Sequence, residues 1–199
     1  MTNDPCRNEV ELEGTALSAP LFSHENHGSR FYRFLLSVPR LSGQTDTLPI
    51  LLPVTLCDAV TPGADLHVRG QLRSFNNRSG QGSRLVLTVF AQSAEPGSGA
   101  WSNHILLDGV LCKPPSLRRT PLGRSICDMM LAVSRRYGRT DYLPVIAWGQ
   151  LALEASRRQV GERITLEGRV QSRIYTKKTD AGSEERTAYE VSVMRLAEE

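Results

Sequence analysis

The sequence predicts an all-β chain folded as two tandem five-stranded barrels, and three observations carry that prediction. The chain states one unit of roughly 95 residues twice. Apolar residues within each unit alternate with period two, the signature of strands with one buried face. Each unit breaks into five such segments with a helix-forming piece between the third and the fourth.

The repeat is read directly from the residues. Asn8-Glu-Val-Glu-Leu-Glu-Gly14 returns as Asn103-His-Ile-Leu-Leu-Asp-Gly109, a shift of 95 positions. Pro20, Val38, Arg40, Thr45-Asp46 and Pro49 fall on Pro115, Val133, Arg135, Thr140-Asp141 and Pro144 at the same shift. The shift then grows to 98: Gly63 matches Gly161, and Gly70-Gln-Leu-Arg-Ser74 matches Gly168-Arg-Val-Gln-Ser172. A three-residue insertion in the second copy, after the position of Pro49 and before that of Gly63, accounts for the change. The stretch Ser93–Ala100 is small, polar and rich in Gly and Pro, which suits a linker. The expected organisation is a first domain over 1–92, a linker over 93–100 and a second domain over 101–199.

In the first copy the strands are expected at Val10–Gly14, Phe31–Val38, Leu48–Leu52, Leu66–Phe75 and Arg84–Ala91. In the second they fall near 103–112, 124–136, 142–148, 162–175 and 186–196. Gln150–Arg158 is rich in helix formers, with Leu151, Ala152 and Ala155 on one face; its counterpart Pro53–Val60 is weaker. Five strands with a helix between the third and fourth is the order of an OB-fold barrel. Gly109 and Gly168, inside strands, suit the bends of so small a barrel. The polar stretches Asn76–Ser83 and Thr176–Ser183 join strands four and five, where OB-folds often wrap a ligand.

The charge is unevenly placed. The net is +3, yet residues 1–99 carry 8 basic and 9 acidic groups while residues 100–199 carry 16 and 12. A polyanion site therefore belongs to the second half. All but Lys113, Lys177 and Lys178 of the 24 basic residues are arginines, which stack on bases and fork onto phosphate; a GC-rich genome produces the same bias. Around Thr140–Gly149 an aromatic stands at each end of a short apolar strand, Tyr142 and Trp148, and the run Arg135-Arg136-Tyr137-Gly-Arg139 leads into it. Aromatic faces flanked by guanidinium groups are what holds unstacked bases over a charged backbone.

On these residues a family resemblance appears. Asn103…Leu107-Asp-Gly109, Leu131–Ser134, Pro144-Val-Ile-Ala-Trp-Gly-Gln-Leu-Ala152, Val160-Gly161, Leu166-Glu-Gly-Arg169 and Ala188–Val193, taken in order, resemble bacterial single-stranded DNA-binding proteins and their relative, primosomal replication protein N. The resemblance implies base stacking at the end of strand two, at both ends of strand three and late in strand four. Those positions hold Tyr137, Tyr142, Trp148 and Tyr175. It further implies phosphate contacts from Arg118, Arg119, Arg135, Arg136, Arg169, Arg173, Lys177, Lys178 and Arg186. The bland alternatives are specific: Trp148 as core, Tyr142 and Tyr175 as cross-strand packing, and Arg135–Arg139 as a solvated surface. The joint placement of four aromatics favours stacking.

The first copy departs from the pattern. Ser42, Thr47 and Asn77 stand against Tyr137, Tyr142 and Tyr175, and Pro53 or a neighbour stands near the place of Trp148, with Phe75 close to one position. Arg69, Arg73, Arg78 and Arg84 remain able to touch phosphate. This copy is expected to be degenerate, serving dimerisation or docking. Family members of the first kind end in a flexible linker and an acidic Asp-Phe-Pro-Phe tip, whereas this sequence ends Met194-Arg-Leu-Ala-Glu-Glu199; the expectation is a specialised replication or recombination accessory.

No phosphate loop, His-Glu-x-x-His or Gly-x-Ser-x-Gly occurs, so the sequence predicts no enzyme and no cofactor. His24-x-x-His27 lacks a third ligand, and no metal is expected. Cys6, Cys57, Cys112 and Cys127 are scattered as in reduced proteins, and the start has no apolar leader, so a cytoplasmic, nucleoid-associated protein without membrane partners is expected. Asp46 and Asp141 recur at one place in both copies, which points to a turn. The predicted partners are single-stranded DNA, a second copy in a homodimer of four barrels, and replication proteins. A protein-docking module and an RNA-binding OB protein are the rival readings.

Overall fold

The computed structural model describes residues 7–77, 85–135, 138–179 and 182–197, with the side chains of Lys177 and Thr179 left out. These residues form two compact units. One comprises Glu9–Arg73 with Leu87–His104; the other comprises the described residues within Met1–Asn8, Ser74–Val86 and Ile105–Glu199. The ends of the fourth and fifth strands of the first repeat thus cluster with the second unit.

The first repeat contains β1 (Asn8–Ala16), β2 (Leu21–Asn26), β3 (Ser29–Pro39), β4 (Thr45–Pro53), a 3-10 turn at Val54–Ala59, β5 (Asp65–Asn76) and β6 (Leu85–Pro96). β1 pairs antiparallel with both β3 and β5, β3 with β4, and β4 runs parallel to β6, which adjoins β5. The sheet therefore closes on itself in the order β1-β3-β4-β6-β5. Its interior takes alternate residues of each strand, among them Leu12, Leu36, Leu48, Ile50, Leu52, Leu66 and Leu72, all fully buried. β6 extends through Pro96, so it takes in the first half of the stretch 93–100. The second half of that stretch is tied down: Gly97 N–H donates to the Asp65 carbonyl, and Ser98 and Ala100 N–H donate to the Glu13 carboxylate.

The second repeat contains β7 (Ser102–Leu111), β8 (Ser116–Arg119), β9 (Ser125–Ser134), β10 (Thr140–Trp148), α1 (Gln150–Ala155), β11 (Arg163–Thr179) and β12 (Gly182–Leu196). The same five pairings recur: β7 with β9 and β11, β9 with β10, β11 with β12, and β10 parallel to β12. Leu107, Leu111, Leu131, Leu143, Val145, Val170 and Val191 fill the interior. This is the OB-fold order in both repeats.

Three features differ from the sequence expectation. β2 and β8 are additional strands, each hairpinned to the strand after it. Every residue of both is exposed, so neither carries an alternating apolar signal. The helix stops at Ala155 rather than Arg158. Thr176–Ser183 forms the expected hairpin, but the strands run further into it than 175 and 186: β11 and β12 continue as a two-stranded ribbon to Thr179 and Gly182. The insertion falls in the connection after the third strand, residues 54–64 in the first repeat and 149–162 in the second.

Two devices recur in both repeats. Asp46 and Asp141 are fully buried, and each is gripped by the arginine six residues earlier. Arg40 donates to Asp46 from Nε at 2.7 Å and Nη2 at 2.5 Å; Arg135 grips Asp141 in the same two-pronged way. The pairs clamp the turn between strands two and three. The second device is close backbone approach at Gly168, where the ladder shifts register by a bulge after Glu167. A Cβ there would stand 2.5 Å from the Ser192 carbonyl, and at its counterpart Gly70 it would strike the Phe90 carbonyl. Gly168→Ala will therefore lower stability by about 1–3 kcal/mol, the usual cost of overpacking, readable as a lower urea midpoint with unchanged slope.

Candidate nucleic-acid interface

Strand pleating decides which residues share a surface. In β10, Asp141, Leu143, Val145 and Ala147 point inward and are buried, so alternation puts Tyr142, Pro144, Ile146 and Trp148 on the outer face, where Ile146 is itself covered by its neighbours. Directly paired residues share a face, which extends the surface strand by strand. Trp148 is opposite Ile126, Ile146 opposite Asp128 and Tyr142 opposite Ala132 on β9; Arg118 on β8 is opposite Ile126. On the other side Val145 pairs with Val191, which puts Glu190 and Ser192 of β12 outward. Across the β12–β11 ladder stand Gln171 opposite Glu190, Arg169 opposite Ser192, Arg173 opposite Ala188 and Tyr175 opposite Arg186. One outer face, spanning β8-β9-β10-β12-β11, thus holds Tyr142, Trp148, Tyr175, Arg118, Arg169, Arg173 and Arg186.

The local environments differ. Tyr142 is 49% exposed. Trp148 is half-buried, and the Arg124 guanidinium lies over its ring at 5.4 Å from the centroid. Arg173 lies over Tyr175 at 5.8 Å. These are cation–π distances, and they hold guanidinium groups next to ring faces. Arg118 donates from Nε to Asp128 at 2.5 Å, and Arg186 pairs with Glu184 at 2.8 Å. Arg173 Nε lies 3.7 Å from Glu190, whose side chain is only 13% exposed. Burial pushes the Glu190 carboxyl above its ordinary range; Arg173 and Arg118 pull it down and Asp128 pushes it up. The Arg169 Nε is buried without a hydrogen-bond partner among the described residues, so it is an unmet donor on this face.

Other expected site residues sit elsewhere. Arg119 is opposite Ser125, on the reverse face of β8. Arg135 spends its guanidinium on buried Asp141. Lys178 is exposed near the end of the β11–β12 ribbon, opposite Ser183. Arg136, Tyr137, Arg78 and Arg84 lie outside the described residues, as does the Lys177 side chain. Sequence reasoning missed Arg124, Asp128 and Glu190. Arg124 stands two residues before Ile126, the partner of Trp148, a placement that only the strand register displays.

The first repeat presents different chemistry at matching positions. Pro53 ends β4 where Trp148 ends β10, and Thr47 replaces Tyr142. Its aromatics gather one strand over: Phe31 lies opposite Pro53, stacks with His24 at 5.1 Å and meets Phe90 at 6.1 Å. Arg69 is paired with Glu11 at 3.3 Å.

Comparison with known proteins shows what this arrangement is similar to. Residues 102–197 match the model of the Single-strand binding protein family. Over these residues, just under half of the chain, the second barrel is similar to single-strand binding proteins. The single-strand binding relatives include the single-stranded DNA-binding protein of Thermus aquaticus, 35% identical over 99 residues, which cover 47% of this chain and 36% of that protein. That of Neisseria meningitidis is 33% identical over 98 residues, covering 45% of this chain and 55% of that one. The matched region thus spans roughly a third to a half of the length of these relatives. In three dimensions the likeness covers both repeats. The crystal structure of wild-type single-stranded DNA binding protein from Thermus aquaticus aligns with TM-score 0.79 at 25% identity, over 98% of this chain and 93% of that one.

Proposed function

We propose that the chain binds single-stranded DNA without sequence preference, through the outer face of the second barrel, in replication, recombination or repair. The observation that carries this is the common face of Tyr142, Trp148 and Tyr175 with arginines laid over two of the rings. Bases of any identity have a flat face to stack, and guanidinium groups beside the rings meet the phosphates between them. Arg118, Arg169, Arg173 and Arg186 supply the charge, and Lys178 extends it along the ribbon. The match of residues 102–197 to the single-strand binding family model supports the same reading.

The test is a fluorescence-anisotropy titration with labelled oligo-dT, a duplex of equal length and a structured RNA. Tight, salt-sensitive binding of oligo-dT with weak binding of the duplex is the expected result. Tighter binding of structured RNA, or none of oligo-dT at low salt, overturns the reading.

The first barrel we assign to self-association or docking rather than to the main strand path. Pro53 and Thr47 remove two platforms, while Leu21, Phe22 and Leu35 leave apolar surface exposed on its β2–β3 arm. Two barrels per chain then make a homodimer of four, and light scattering at micromolar concentration reads a dimer mass if this is right and a monomer mass if it is not.

A further inference from the structure

The second barrel's outer face is not simply basic. Between the Trp148 end and the Tyr175 ribbon lie two carboxylates, Asp128 on β9 and Glu190 on β12, each facing an arginine that the strand-binding reading assigns to phosphate. Arg118 donates to Asp128 from Nε at 2.5 Å and from Nη2 at 3.2 Å. Arg173 Nε stands 3.7 Å from Glu190. The four groups form one electrostatic cluster, because Arg118 also acts on Glu190 and Asp128 acts on Glu190. Two positive and two negative charges cancel in the middle of the path a strand would follow.

We propose that Asp128 and Glu190 are built-in stand-ins for phosphate: they hold Arg118 and Arg173 pointed and ordered in the free protein, and an incoming strand must displace them. This rests on the proposed strand binding and deepens it by naming what limits affinity there. The two carboxylates have the charge and the oxygen pair that a backbone phosphate presents, and guanidinium forks accept either. The counterions released on binding come from the nucleic acid, and an arginine accompanied by its own carboxylate neutralises phosphate only in part, so it releases few of them and adds little to the salt dependence. When phosphate takes the arginines, the carboxylates are left beside a polyanion. Asp128 is 44% exposed and is relieved by water and cations; Glu190, at 13%, is not.

Protonation is the natural relief for Glu190. The charged groups facing it are Arg173 on β11, Asp128 on β9 and Arg118 on β8; β10 stands alongside with Pro144 and Tyr142, and the helix packed against β12 carries Glu154. Its carboxyl titrates above the ordinary carboxylate range, so its neutral fraction grows as pH falls from neutrality toward that raised value. A neutral Glu190 no longer repels phosphate. Binding therefore tightens with falling pH, and Glu190 takes up a proton as the strand binds.

The experiment measures oligo-dT affinity of the wild type, Glu190→Gln, Asp128→Asn and the double variant, from ~50 to ~400 mM salt and from about pH 8 to about pH 5.5. Thymine does not titrate in that range. The double variant is expected to bind roughly fivefold or more tightly at low salt, and its log K against log[salt] slope to steepen by about 0.7 per freed arginine. Wild-type affinity is expected to rise as pH falls, and Glu190→Gln to flatten that profile. Equal or weaker binding by folded variants with unchanged slopes overturns the inference while wild-type binding still upholds the function. Loss of wild-type binding overturns the function itself. If Glu190→Gln fails to fold, Asp128→Asn decides alone, because that exposed pair contributes little to folding.

Discussion

Replacing Tyr142, Trp148 and Tyr175 together by alanine will leave the protein folded and weaken oligo-dT binding by at least about a hundredfold, since each base–aromatic stack is worth ~1–3 kcal/mol. The fold survives because none of the three points into the barrel. The interior of β10 is made by Leu143, Val145 and Ala147, and that of β11 by Leu166 and Val170. Single variants rank by contact area: Trp148→Ala weakens binding most, and Tyr142→Ala follows because its ring is the more open to solvent. Phe75→Ala, in the first repeat, changes affinity less than any of them. Anisotropy titrations read the losses, and circular dichroism confirms that each variant retains its strands.

The second large effect is on stability. Asp141→Ala leaves the Arg135 guanidinium deep in the turn between β9 and β10 with no counter-charge, and breaking a buried pair from one side costs about 3–5 kcal/mol. Against a typical total of ~5–15 kcal/mol for a domain, that is a large share. Chemical denaturation will show the loss as a lower midpoint. Asp46→Ala does the same in the first barrel, where Arg40 is the stranded group. Removing both partners, as in Asp141→Ala with Arg135→Met, recovers part of the loss because no unpaired charge remains. Asp128→Asn, which breaks a pair with nearly half of each side chain exposed, costs at most about 1 kcal/mol. Two aspartate–arginine pairs of similar geometry thus separate by role.

Much of this was legible in the residues. The duplication was visible because a repeated fold must repeat its constrained positions: Gly14 and Gly109, Gly70 and Gly168, Asp46 and Asp141 are each places where no other side chain fits or where a turn is clamped. The ten barrel strands announced themselves through alternation, because each buries one face. β2 and β8 did not, since a fully exposed edge strand has no apolar face to repeat. The helix came out short because a six-residue turn of Gln150–Ala155 is enough to cover its end of the barrel with Ala152 and Ala155.

At the site, parity explains both the success and the gap. Tyr142 and Trp148 are six residues apart in one strand, so the sequence alone puts them on one face. That Arg124 covers Trp148, and that Asp128 and Glu190 sit among the arginines, depends on cross-strand register, which a single sequence does not display. Arg135 shows the reverse error of reading charge alone: in a basic run it looks like phosphate chemistry, yet its guanidinium is committed to Asp141. The overlap of structural and binding arginines in one short stretch is why composition overstates the positive charge this face offers.

The central claim is that Trp148 itself meets the strand. Trp101→Phe leaves Trp148 as the one indole in the chain, and titrating that variant with oligo-dT at several salt concentrations reports directly on it. Saturable quenching that tracks the binding curve and weakens with salt is the predicted result. Unchanged emission at concentrations where anisotropy shows the oligonucleotide bound would contradict it.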